Sequence, residues 1–214
     1  MSLLVKICGV TDLKALKVSV DCGVDYLGFV FFSKSPRNIS ASLYSTLASE
    51  IPKKVAKVGL FVNPNDQLID EVLSISQLDY IQLHGAETPH RVSSIRKNFL
   101  LPIIKSFAIS NPQDFKHIEP YCDFVDKFLF DSKPPKDSSR PGGNSVTFNW
   151  KLMTQYTFKK PWLLAGGLNS ENLSDAVKQS GCKQVDVSSG VEKSLGIKDP
   201  RLIKTFITLA KTLP

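Results

Sequence analysis

The chain has 214 residues, of which 42% are hydrophobic and 22% charged, the make-up of one globular domain with a core of ordinary size. Its net charge of +7 (27 Lys+Arg against 20 Asp+Glu) suits an anionic surface or a small phosphorylated molecule. The lysines come singly or in pairs, as at Lys53-Lys54 and Lys159-Lys160, without interleaved aromatics, and this argues against nucleic acid. Cys8, Cys22, Cys122 and Cys182 lie far apart with no CxxC pair, so neither a zinc site nor a disulfide framework is expected. No apolar run approaches the roughly 20 residues of a membrane span, and no basic segment leads into one near the start. The expectation is a cytoplasmic protein in a reducing compartment, with no membrane partner.

In chain order, Leu3 to Cys8 reads as a buried strand that ends in a thiol and turns at Gly9. Thr11 or Asp12 caps a helix whose Leu13, Leu16, Val18 and Val20 form the apolar side, closed by Cys22-Gly23. Asp25–Phe31 is hydrophobic nearly throughout, as in a parallel strand covered on its outer face. The loop Ser33–Asn38 follows, and Ser40 opens a second helix. Lys57–Val62, Tyr80–Gly85 and Pro102–Phe107 continue the strands. Asn63-Pro64-Asn65 and Thr88-Pro89 supply helix starts, and a helix after the fifth strand must end near Pro120. Phe128–Asp131, Trp162–Gly167 and Gln184–Gly190 complete the set, with helices from Asn169 and from about Asp199.

Eight strands, each followed by a helix, make the count of a single-domain (β/α)8 or TIM barrel spanning residues 1–214. A doubly wound open sheet would more often carry about five or six strands and an early GxGxxG turn. The one long irregular segment, Ser132 to about Val146, carries Pro134, Pro135, Pro141, Gly142 and Gly143 and suits a binding loop.

In such barrels chemistry sits at the carboxyl ends of the strands. Those ends carry Cys8, His84, Asp131, Gly166-Gly167, and Asp186 with Ser188-Ser189-Gly190, while Arg37 lies in the loop after the second strand. Gly166-Gly167 and Ser189-Gly190 follow strands seven and eight, where barrels bind phosphate through backbone N–H groups, although each pair alone is also an ordinary turn. Asp131 is either a loop-ordering aspartate or, desolvated at the rim of an apolar strand, a general acid. Cys8 is either a small buried hydrophobe or, beside positive charge, a thiolate. His84 suits an acid, a base or a hydrogen-bonded structural residue. Arg37 suits a solvated charge or a bidentate carboxylate clamp.

With these residues in view, the chain resembles the phosphoribosylanthranilate isomerases. The likeness runs from Lys6 to Asp199 and rests on Lys6-Ile7-Cys8-Gly9, Gly28-Phe29-Val30-Phe31, Ser35-Pro36-Arg37, Gly59–Asn63, Gln82-Leu83-His84-Gly85, Leu129-Phe130-Asp131-Ser132, Leu164–Leu168 and Asp186–Glu192, in order and at the right strands. The resemblance implies a cofactor-free and metal-free Amadori rearrangement by a monomer or homodimer, with Asp131 as general acid and Cys8 as general base. By the same likeness Arg37 holds the anthranilate carboxylate, Asp186 lies near the sugar or amine, His84 is in the binding site, and the glycine pairs hold phosphate. The family usually has Gly-Gly-x-Gly after strand six; this chain has Gly142-Gly143-Asn144-Ser145. An indole-glycerol-phosphate synthase-like lyase would need a catalytic lysine with paired glutamates, for which only Lys105 fits and no glutamate partner is apparent. A non-catalytic barrel binding an anion is the remaining alternative.

Overall fold

The structure is a computed structural model that describes residues 2–134 and 141–214. Eight parallel strands close into a barrel in sequence order: β1 (Leu4–Cys8), β2 (Tyr26–Phe31), β3 (Ala56–Phe61), β4 (Tyr80–Leu83), β5 (Ile103–Ile109), β6 (Lys127–Ser132), β7 (Trp162–Leu164) and β8 (Gln184–Val187). The ring closes where β1 pairs with β8, which sets Lys6 opposite Asp186. Alternation along each strand separates two cores. Val5, Ile7, Leu27 and Phe29 face the helical shell, whereas Tyr26, Val58, Ile104, Leu129 and Leu163 fill the barrel interior. Above that layer Cys8 packs with Val30 and Leu60.

Helices α1 (Leu13–Asp21), α2 (Ala41–Ala48), α3 (Asp66–Ile75), α4 (Pro89–Phe99), α5 (Leu173–Ser180) and α6 (Pro200–Thr212) form the outer layer. Asp12, Ser40, Asn65 and Thr88 each accept a backbone N–H at a helix start, as their residue types favour. In α1 Ala15, Leu16 and Ser19 are buried and Val18 and Val20 pack partly buried against the core, whereas Leu13 is exposed.

Not every strand is followed by an α-helix. After β5 the chain makes two 3-10 turns, Pro112–His117 and Glu119–Tyr121, since Pro120 cannot continue a hydrogen-bonded ladder. Among the described residues between β6 and β7 there is one 3-10 turn, Trp150–Gln155. Asn169 does not begin α5: its side chain accepts from the Glu171 and Asn172 N–H groups in a turn that precedes the helix. A small hairpin of β9 (Glu192–Ser194) and β10 (Ile197–Lys198) is inserted between β8 and α6. The middle of the Ser132–Val146 loop, Pro135 included, lies outside the described residues.

Candidate active site

The carboxyl ends of the strands open on a cleft of about 510 Å³, to which Cys8, Arg37, His84, Asp131, Asp186 and Gly142 all contribute. Loops after β2 and β6 supply Arg37 and Gly142, and strand ends supply the rest. A barrel achieves this convergence because its parallel strands all end at one face.

On one side, Cys8 ends β1 with its thiol buried. Lys6, two residues earlier and on the same face, is fully buried and donates to Asp186 Oδ1 at 2.9 Å. A methyl group added at Gly28 would lie 2.9 Å from the Cys8 sulfur and 3.0 Å from Lys6 Nζ, so glycine is what leaves room for both. Burial pushes the Cys8 thiol above its ordinary pKa; Lys6 and Lys198 pull it back and Asp186 opposes them. Burial likewise disfavours the Lys6 ammonium, but the Asp186 carboxylate, together with the Cys8 sulfur in its thiolate form, outweighs it and holds the amine above its usual value.

On the other side, Asp131 Oδ1 accepts the Ser132 backbone N–H at 2.8 Å, and Oδ2 lies 3.3 Å from His84 Nε2. The far nitrogen of His84 is 3.0 Å from Gln82 Nε2 and 3.1 Å from Ser106 Oγ, which fixes the ring plane. Gly142 lies directly over this pair: a Cβ there would meet Asp131 Oδ2 and His84 Nε2, each at 2.7 Å. The loop approaches the Asp131 carboxylate this closely only because that position has no side chain.

Arg37 is not a solvated charge; it is 4% exposed. Its stem crosses Gly9, and Glu192 accepts from Nε at 2.6 Å and from Nη2 at 2.9 Å. Lys198 donates to the same carboxylate at 2.9 Å and to the Ser188 carbonyl at 2.9 Å. The remaining nitrogen, Nη1, faces Gly143 at the cleft.

Next to this cleft, Gly166, Gly167, Ser188 and Ser189 line a smaller recess of about 290 Å³ with Asp131 and Asp186. Both glycines have left-handed backbone, φ 88° and 61°, which a side chain would oppose. Gly190 is not among the lining residues; its Cα is pressed against the Leu168 carbonyl, which sets the approach of the two loops.

Lys105 does have a glutamate partner. Glu87, from the turn after β4, sits 2.9 Å from its ammonium, and the Gly85 and Ser106 carbonyls accept at 2.9 and 3.1 Å. Burial draws the Lys105 pKa down against that pairing. All three of its hydrogens are occupied in holding the loop, so it offers no free amine to a substrate.

Reasoning from sequence passed over Lys6, Gly28, Glu192 and Lys198. Lys6, Gly28 and Glu192 belong to the motifs that carry the family likeness, and a charged residue in an otherwise apolar strand was the available signal for Lys6.

Comparison with known proteins identifies the family. The profile of the family described as N-(5'phosphoribosyl)anthranilate (PRA) isomerase matches residues 5–209. The N-(5'-phosphoribosyl)anthranilate isomerase of Paracoccus denitrificans is 48% identical over 210 residues, covering 98% of both chains. A crystal structure of monomers generated from the dimeric phosphoribosylanthranilate isomerase of Thermotoga maritima has TM-score 0.84 and 38% identity, covering 99% of this chain and 100% of that one. A phosphoribosylanthranilate isomerase in complex with reduced 1-(o-carboxyphenylamino)-1-deoxyribulose 5-phosphate has TM-score 0.83 and 36% identity over the same shares. With profile, relatives and barrel in agreement, the chain belongs to the N-(5'-phosphoribosyl)anthranilate isomerase family.

Proposed function

We propose that Asp131 is the general acid and Cys8 the general base of the reaction that defines the family. The chain isomerises N-(5'-phosphoribosyl)anthranilate to 1-(2-carboxyphenylamino)-1-deoxyribulose 5-phosphate, an aldose–ketose (Amadori) rearrangement of tryptophan biosynthesis. In our reading Asp131 protonates the furanose ring oxygen, the ring C–O bond breaks, and the anthranilate nitrogen supplies the electron pair that forms an iminium. Cys8 then removes the C2′ proton, which the iminium acidifies, and the enolamine tautomerises to the ketone. The observation that carries this is the presence of both groups in one cleft, on β1 and β6 with only β7 and β8 between them.

In the same reading Arg37, whose Nη1 faces the cleft, takes the anthranilate carboxylate, and Asp186, which lines the same cleft, takes the sugar or amine. Gly166, Gly167 and Ser189 suit the phosphate in the adjoining recess, Gly190 shapes the turn, and His84 orients Asp131. The ligand is a phosphorylated small molecule, and among the described residues no helix is long and apolar enough to cross a membrane. We read residues 1–214 as one cytoplasmic domain acting as monomer or homodimer, the latter on the analogy of the dimeric Thermotoga protein.

The test is turnover of phosphoribosylanthranilate without added metal or nucleotide. Cys8→Ser and Asp131→Asn, each folded, should lose on the order of 10² to 10⁴ in kcat. Near-normal turnover in either variant defeats that assignment.

A further inference from the structure

A buried cation costs free energy that an apolar side chain of the same volume would not, so its presence calls for a reason. Lys6 is fully buried in the barrel interior, and β-strand alternation directs it to the same side as Cys8. Its ammonium and the sulfur close on one point, the space over Gly28. The apolar neighbours of Cys8 are Val30 and Leu60, which stabilise no charge. The charged groups acting on the sulfur are Lys6 on its own strand, Asp186 on β8, and Lys198 on β10. Asp186 repels a thiolate. Lys198 is already engaged by Glu192 and Ser188, as is Arg37 by Glu192. Lys6 is therefore the cation best placed for the sulfur, and the register pairing of β1 with β8 tethers it through Asp186.

We propose that Lys6 is a positioning residue for catalysis, an ammonium anchored by Asp186 that stabilises the Cys8 thiolate. The inference rests on the reading of Cys8 as the base. The thiolate takes the C2′ proton and becomes a thiol. The C–H electron pair forms the enolamine double bond and neutralises the iminium. Lys6 keeps its own proton throughout and transfers nothing.

The experiment separates the charge effect from turnover. Alkylation of Cys8 by iodoacetamide, followed across pH by the mass of its peptide, reports the thiolate fraction in wild type and in Lys6→Met. The alkylation midpoint in Lys6→Met should rise by about one pH unit or more, a roughly tenfold slower reaction below the midpoint. The rising limb of kcat/KM should move with it. The double variant Lys6→Met/Asp186→Asn leaves no unpaired carboxylate; if the single variant does not fold, the double variant should give a shift of the same sign. Unchanged alkylation in a folded variant overturns the inference, whatever happens to turnover. A shifted alkylation profile with an unshifted kcat/KM profile supports the Lys6–Cys8 coupling and overturns Cys8 as the base.

Discussion

Glu192 grips Arg37 along one edge of its guanidinium, Oε1 to Nε at 2.6 Å and Oε2 to Nη2 at 2.9 Å, and leaves Nη1 turned to the cleft. The same carboxylate also receives Lys198. Two cations therefore share one anion, which leaves the cluster with a net positive charge beside the cleft; in the proposed mechanism that charge meets the substrate carboxylate.

Removing that anion should damage binding and stability together. Glu192→Gln leaves two buried cations without a counter-charge, a loss of about 3–5 kcal/mol in denaturant unfolding. In the protein that still folds, KM should rise more than kcat falls, because Arg37 is no longer held at the geometry its planar fork requires. A fall in kcat with unchanged KM would place Glu192 elsewhere in the mechanism.

The same carboxylate should be visible in acid stability. Burial disfavours its charge, yet Arg37 and Lys198 more than offset this and hold Glu192 below the ordinary glutamate range. A folded pKa below the unfolded value means that the unfolded chain binds more protons. The stability from this group is thus complete above the unfolded glutamate pKa and is lost as pH falls through the folded one. Urea unfolding on the acid side should show a shallower pH dependence in Glu192→Gln than in wild type. Equal slopes would assign the acid sensitivity to other carboxylates.

The loop over Asp131 carries a strained residue, Ser145, at the position of the third glycine of the Gly-Gly-x-Gly pattern. Ser145 has φ 56°, two positions after Gly143 at φ 71°. The backbone here is left-handed although the residue is not glycine, at a cost of about 1–2 kcal/mol for a residue with a Cβ. Ser145→Gly should be slightly more stable, by about 1 kcal/mol or less once the freer unfolded chain is counted, with turnover retained. A drop in melting temperature would mean that the serine side chain holds the loop.

The barrel was legible in the sequence because its signals are local. An apolar run followed by a capped amphipathic segment is visible within some twenty residues, and the strand ends then bring Cys8, His84, Asp131 and Asp186 to one mouth. Where proline breaks the helical pattern, as around Pro112 and Pro120, the same reading expects a helix and the chain makes 3-10 turns. What the sequence could not show was who partners whom. Lys6 and Asp186 stand 180 residues apart, and Arg37 and Glu192 stand 155 apart. Ring closure makes the first pair, because register sets the first strand against the last. The hairpin after β8 makes the second, by reaching back to the loop after β2. The sequence by itself thus determined the strand order, the family and the residue types at the mouth. Only the tertiary structure decided their charge environment, because burial and counter-charge depend on neighbours that lie far away along the chain.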